Sequence, residues 1–196
     1  MDLLQYQTAP FKQREIINMG ELLKCSAKDT AADNGVCQEL AWKWLKRLST
    51  KSDKYGTPKA RMDAFWKEST ITKAINRHNQ SAANQLISPH KLYGLEGVQI
   101  NFSYRRDVVS RWRMNGGGLF YSFSCPKYNN GKHAIAAYIP KVPGQRLINV
   151  EILTFDPNLG EFKMKAGVFP IWLRLLLKEE YEATEDNIME VDYYNT

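Results

Sequence analysis

From residue 36 to 48 the apolar side chains Cys37, Leu40, Ala41, Trp44, Leu45 and Leu48 recur at three- and four-residue steps, the spacing of a helix that buries one face. Asp33 or Asn34 stands where a cap can accept the unpaired N–H groups of its first turn. The pattern predicts a short helix at about 12–23, a helical region over 58–79 and a shorter one over 81–87, stopped before Pro89. Beyond residue 96 the period changes. Segments 97–104, 118–125, 133–139, 147–155 and 162–165 are rich in β-branched and aromatic residues and are separated by Gly, Asn and Pro, so they are expected to be strands. Pro170 suits the first position of a helix running to about Tyr181. Helices first and a mostly antiparallel sheet second predict an α+β fold. Residues 1–30 are expected to form an N-terminal arm with one short helix, and 31–196 a single domain.

Composition changes this picture little. A chain of 196 residues with 43% apolar and 24% charged residues is that of an ordinary globular domain, able to bury roughly 70% of its unfolded surface. Its longest apolar stretch, 171–177, is interrupted by Arg174 and falls far short of the roughly 20 residues that cross a bilayer. Met1-Asp2-Leu3-Leu4-Gln5 carries neither a basic segment nor an apolar run, so no general secretory signal peptide is expected and export would need another route. Three cysteines, Cys25, Cys37 and Cys125, at no framework spacing argue for free thiols in a reducing compartment.

Charge is uneven. The last eighteen residues hold seven acids and no Lys or Arg, a tail of −7 on a body of +13 within the net +6. Such a body suits acidic partners or simply a solvated surface. Arg105, Arg106, Arg111 and Arg113 around Trp112 could contact nucleic acid, but an exposed basic helix with Trp112 turned inward is the simpler expectation.

The chemistry lies in three segments: Asn34-Gly35-Val36-Cys37-Gln38-Glu39-Leu40, Lys132-His133-Ala134-Ile135-Ala136, and Phe155-Asp156-Pro157-Asn158-Leu159-Gly160-Glu161-Phe162. They supply a thiol at a helix start, an imidazole opening a strand and a carboxylate closing the next one. These are the parts of a cysteine nucleophile, its base and the base's orienter, in papain order. A hairpin centred between Gly144 and Gln145 would set His133 directly opposite Asp156, on one face. Within the first helical turn, unpaired N–H groups and the positive end of the helix dipole favour a thiolate at Cys37. The Cys37 backbone N–H and the Asn34 side chain are the candidate donors to an oxyanion.

Taken one at a time these residues have plainer explanations. A Cys on an apolar stripe is a small core residue, a His on a strand a structural group, and Asp-Pro-Asn a turn. Zinc held by Cys25, Cys37, Cys125 and His133 is disfavoured because no Cys-x-x-Cys pair exists. Gly116-Gly117-Gly118 precedes a strand, so it reads as a turn and not as a phosphate loop. His78 and His90 are expected at the surface, and Trp42, Trp44 and Trp172 in the core.

Together, the three segments, with Trp44-Leu45 beside the first, resemble the YopT-type cysteine proteases, a papain-like family of bacterial effectors and toxin domains with a Cys/His/Asp triad. The similarity spans most of 33–180. It implies a papain-like α+β domain with a central catalytic helix against the sheet, catalysis by Cys37, His133 and Asp156, and no metal or organic cofactor. It further implies specialised secretion, a protein substrate in the cytoplasm of a target cell and, for a toxin used between bacteria, an acidic immunity protein. The 96-residue interval from Cys37 to His133 is shorter than the roughly 130 or more of plant papains, so substrate loops differ. Members of the family cut different proteins, so the substrate does not transfer. A deamidase, transglutaminase or amidase with the same three residues, and an inert protein- or nucleic-acid-binding module, remain the alternatives.

Overall fold

The computed structural model describes residues 2–22, 36–49, 53–84, 97–100, 116–129, 131–140 and 150–194. Period-two alternation builds its centre. Strands β3 (Gly117–Cys125) and β4 (Gly131–Ile139) pair antiparallel from Gly117↔Ile139 to Cys125↔Gly131. Alternation sends Leu119, Tyr121, Phe123, Ile135 and Ile139 to one face and Phe120, Ala134 and Ala136 to the other. Both faces are covered.

The first face packs on α5 (Phe169–Tyr181), whose Trp172, Leu176, Leu177 and Tyr181 are buried. The second packs on α2 (Cys37–Ser49), with help from α1 (Gln13–Leu22), α3 (Pro58–Asp63) and α4 (Glu68–Asn84). Trp42 stacks on Phe120 at 4.3 Å between centroids, and Trp44 on Phe155 at 5.7 Å. Gly118 lets α2 come close, since a Cβ there would lie 2.9 Å from Leu45 Cδ2. The three expected core tryptophans, Trp42, Trp44 and Trp172, are all buried.

Strands β1 (Gln7–Pro10), β2 (Gly97–Ile100), β5 (Glu151–Asp156), β6 (Gly160–Lys165) and β7 (Ile188–Tyr194) complete a seven-stranded antiparallel sheet in the order β1-β6-β5-β4-β3-β7-β2. The α+β architecture matches the expectation, with two additions. β7 was expected as part of an acidic tail and is instead an interior strand between β3 and β2. The sequence predicts an N-terminal arm with one short helix over residues 1–30. Within them β1 is an edge strand on β6, and Phe11 N–H donates to the Leu159 carbonyl at 3.0 Å, which joins this stretch to the sheet.

The helical region expected over 58–79 is two helices, α3 and α4, and the start of the segment expected over 81–87 is the end of α4. At the junction Phe65 and Trp66 N–H groups bond back to Met62 and Asp63 carbonyls, closing α3 in tight turns. A buried ion pair ties α3 to the sheet: Arg61 Nη2 donates to Glu161 Oε1 at 2.6 Å and Nε to Oε2 at 2.8 Å, while Trp44 Nε1 donates to Oε2 at 2.7 Å. A fully buried carboxylate is tolerable only with such multiple donors.

Candidate active site

The β4–β5 ladder runs over Ala136↔Phe155, Ala137↔Thr154 and Tyr138↔Leu153. That register is two residues away from the one that would set His133 opposite Asp156. A two-residue shift preserves the face, because side chains alternate with period two. His133 and Asp156 therefore meet diagonally, beyond the end of the ladder, with His133 Nε2 3.3 Å from Asp156 Oδ1.

Asp156 closes β5 and begins a tight turn into β6. Its Oδ1 accepts from Asn158 N–H at 2.7 Å, and its backbone carbonyl accepts from Leu159 N–H at 3.1 Å. The turn ends on Gly160 at φ 123°, a conformation that favours glycine, and a Cβ there would intrude on the Ala9 carbonyl oxygen. Glycine thus allows β1 to lie against the turn that aims Asp156.

A fourth group enters from the last residue of α5. Tyr181 Oη donates to Asp156 Oδ2 at 2.7 Å and lies 2.9 Å from His133 Nε2, and it accepts from Asn158 Nδ2 at 3.2 Å. The phenol has one proton, which goes to the carboxylate, so His133 Nε2–H must be the donor at the second contact. The Tyr181 ring also stacks on the imidazole at 4.6 Å, and Phe123 meets that imidazole edge-on at 5.5 Å. Sequence reasoning did not single out Tyr181. It lies 25 residues beyond Asp156 on an amphipathic helix, with no local signal of its role.

Cys37 is the first residue of α2 and is 5% exposed. It belongs to the cluster on the α2 face, whereas His133 is in register with Ile135 on the α5 face. The two meet around β4: Cys37 Sγ contacts the Lys132 carbonyl oxygen at 3.9 Å, one residue before His133. Burial alone would lower the His133 pKa. The charge of Asp156, followed by the charge of Cys37 and hydrogen bonds from both, overrides it and raises the value to about 10. Burial, then Asp156, holds the Tyr181 hydroxyl well above its ordinary value. Cys125 is pushed up to about 12 by burial, then by Cys37 and Asp156.

Gln13, at the start of α1, links the pieces. Its backbone N–H donates to the Pro157 carbonyl at 2.6 Å, its Nε2 donates to Asn158 Oδ1 at 2.6 Å, and its Oε1 accepts from Val36 N–H at 3.1 Å. A continuous chain therefore runs from Val36, one residue before the thiol, through Gln13, Asn158 and Tyr181 to Asp156. Asn34, the expected side-chain donor to an oxyanion, lies outside the described residues, as do Cys25, His90 and the Arg105–Arg113 segment. Cys37 opens its helix, so its backbone N–H has no partner within α2. Among the described residues no group of three or more His, Cys, Asp and Glu could hold a metal ion, and no helix is long and apolar enough to cross a membrane.

Helices on both faces of an antiparallel sheet make this a papain-like α+β fold. The Pseudomonas avirulence protein AvrPphB has this fold: the two structures align over 98% of each chain with a TM-score of 0.51, at 18% sequence identity. No protein-family model matches the chain, and no curated protein matches it.

Proposed function

We propose that this chain is a cysteine endopeptidase in which Cys37 is the nucleophile, His133 the general base and acid, and Asp156 the group that orients the imidazole. What supports the reading is that His133 Nε2 lies 3.3 Å from Asp156 Oδ1 while Cys37 Sγ lies 3.9 Å from the carbonyl oxygen of Lys132, the residue before His133, so that α2, β4 and β5 each supply one group near the start of β4. Nε2 of His133 is engaged by Asp156 and Tyr181, which leaves Nδ1 to take the thiol proton. The thiolate attacks the scissile carbonyl, and the oxyanion receives the Cys37 backbone N–H and the Asn34 side chain. The intermediate collapses as His133 returns the proton to the leaving amine, giving a thioester on Cys37. Water, deprotonated by His133, hydrolyses the thioester and frees the thiol.

The likeness to an avirulence protein over nearly the whole chain supports an effector or toxin that is secreted by a specialised system and cuts proteins in the cytoplasm of a target cell. The net charge of +6 suits an acidic immunity or inhibitor protein as a further partner. The test is a comparison of new protein N-termini in target cells expressing the native chain and Cys37→Ala. The proposal expects new termini with the former and none with the latter, and Cys125→Ala should leave them unchanged. Targets gaining about one dalton with no new termini would replace proteolysis by deamidation.

A further inference from the structure

The buried amide of Gln13 takes no part in the proton transfers at Cys37 and His133, yet it joins the surroundings of both. Val36 N–H donates to Gln13 Oε1 at 3.1 Å, Gln13 Nε2 donates to Asn158 Oδ1 at 2.6 Å, Asn158 Nδ2 donates to Tyr181 Oη at 3.2 Å, and Tyr181 O–H donates to Asp156 Oδ2 at 2.7 Å. The two ends fix the sense of this chain, since a backbone N–H only donates and a carboxylate only accepts. The side chain at position 13 must therefore accept with one atom and donate with another. An amide does both, an ionised carboxylate does only the first, and a thioether accepts weakly and donates nothing.

Both partners of Gln13 stand next to reacting groups. Val36 precedes Cys37, and its carbonyl, which accepts from Leu40 N–H at 3.0 Å, shares a peptide group with the Cys37 N–H, the candidate oxyanion donor. With its N–H held by Gln13 and its carbonyl by Leu40, Val36 fixes the direction in which the Cys37 N–H points. On the other side Asn158 N–H donates to Asp156 Oδ1 at 2.7 Å, so Asn158 holds both carboxylate oxygens, one directly and one through Tyr181. Bonds that all donate in one sense towards a charge polarise and strengthen one another.

We propose that Gln13 is a positioning residue for the reaction: its amide, acting through Val36 and Asn158, sets the helix start that carries Cys37 against the turn that carries Asp156. This role rests on Cys37, His133 and Asp156 being the endopeptidase site proposed above. A side chain that only filled space would serve equally well with any polarity, so the two roles differ in chemistry and are separable by measurement.

The test compares the native chain with Gln13→Met, which keeps the side-chain length without the donor, and Gln13→Glu, which keeps the acceptor for Val36 and loses the donor when ionised. Both keep the backbone N–H bond to the Pro157 carbonyl, at 2.6 Å in the native chain. The rate of Cys37 alkylation by iodoacetamide, read by mass on the peptide that holds it, and kcat and KM on a substrate found from new N-termini are measured from pH 8 down to pH 5.5. Each is scaled to the folded fraction given by urea denaturation. At pH 8 both variants should alkylate about three- to tenfold more slowly than the native chain and lose kcat by a similar factor with KM nearly unchanged. Lowering the pH protonates the introduced carboxyl, a change that burial favours, and a carboxylic acid again both accepts and donates. Gln13→Glu should then recover towards the native rate and pass Gln13→Met, whose deficit stays constant. Should Gln13→Met fail to fold, the recovery of Gln13→Glu between pH 8 and pH 5.5 decides alone. Parallel deficits in the two variants at every pH, a deficit of Gln13→Glu that does not change with pH, or native alkylation and kcat in Gln13→Met despite lower stability overturns the proposal. Absence of new N-termini from the native chain overturns the endopeptidase reading instead, because Cys37 alkylation still reports the positioning.

Discussion

Tyr181→Phe removes one oxygen from the centre of the site and leaves the ring. The hydroxyl gives a 2.7 Å bond to a fully buried carboxylate and accepts from His133 Nε2 and Asn158 Nδ2 at 2.9 and 3.2 Å. A hydrogen bond to a charged group contributes about 1.5–3 kcal/mol, and a donor left without an acceptor adds a penalty of about 1–3 kcal/mol. Asp156 Oδ2 loses its donor, Nε2–H keeps Asp156 Oδ1 at 3.3 Å, and the half-buried Asn158 amide can turn to water, so the loss is the charged bond with only a small part of that penalty. The expected destabilisation is therefore about 2–4 kcal/mol, of the order of 4–16 °C in Tm for a chain of this length. The stack on the imidazole survives, so packing loss is small. Urea denaturation at pH 7 measures the stability, and kcat/KM on a substrate found from new N-termini measures the chemistry. Because Tyr181 shares the Nε2 proton, kcat should fall with little change in KM, and the pH dependence of kcat should shift. Unchanged stability and an unchanged pH profile in Tyr181→Phe would refute the account of His133 as jointly held by phenol and carboxylate. In the Asp156→Asn background the same substitution should cost less, because the hydroxyl no longer serves a charge.

The His133 pKa, about 10 in the folded chain against an ordinary value near 6.5, means that folding favours the imidazolium. That contribution is fully present below about pH 6.5 and is lost as pH rises towards 10. Lys43, held at about 7, changes stability in the opposite sense over much of this range, so the effect is read as the difference between the native chain and His133→Gln. This difference should shrink steadily from pH 7 to 9, and a flat difference would remove the ion pair from the argument. Gly160→Ala forces a Cβ against the Ala9 carbonyl at φ 123°, so it should cost about 3 kcal/mol or more and speed hydrogen exchange in β1 first. Native exchange protection in β1 of that variant would show that the turn does not hold the edge strand.

Helix α2 and strands β3 and β4 were legible because each buries a stripe or a face at its own period, and a local pattern suffices to show that. β7 was not, because a bulge opposite Ser122 and Phe123 puts Ile188 and Val191, three residues apart, on one buried side and breaks the alternation. β1 is four residues containing a proline, too short for a pattern, and only its partner β6 makes it a strand. The trio Cys37, His133 and Asp156 could be named from their segments, since a thiol at a helix start and polar groups at strand ends are local features. The shared face of His133 and Asp156 followed from parity, but the register was two residues off because the segment between the strands does not by itself dictate where pairing begins.

By itself, then, the amino-acid order determined the element types, the buried faces and the residue chemistry, which depend on neighbours a few positions apart. Tertiary structure alone decided that Tyr181 closes on His133 and Asp156 and that Gln13 links Val36 to Asn158. Those groupings join residues far apart along the chain. Their energies come from burial and partner geometry that exist only once the helices have packed on the sheet.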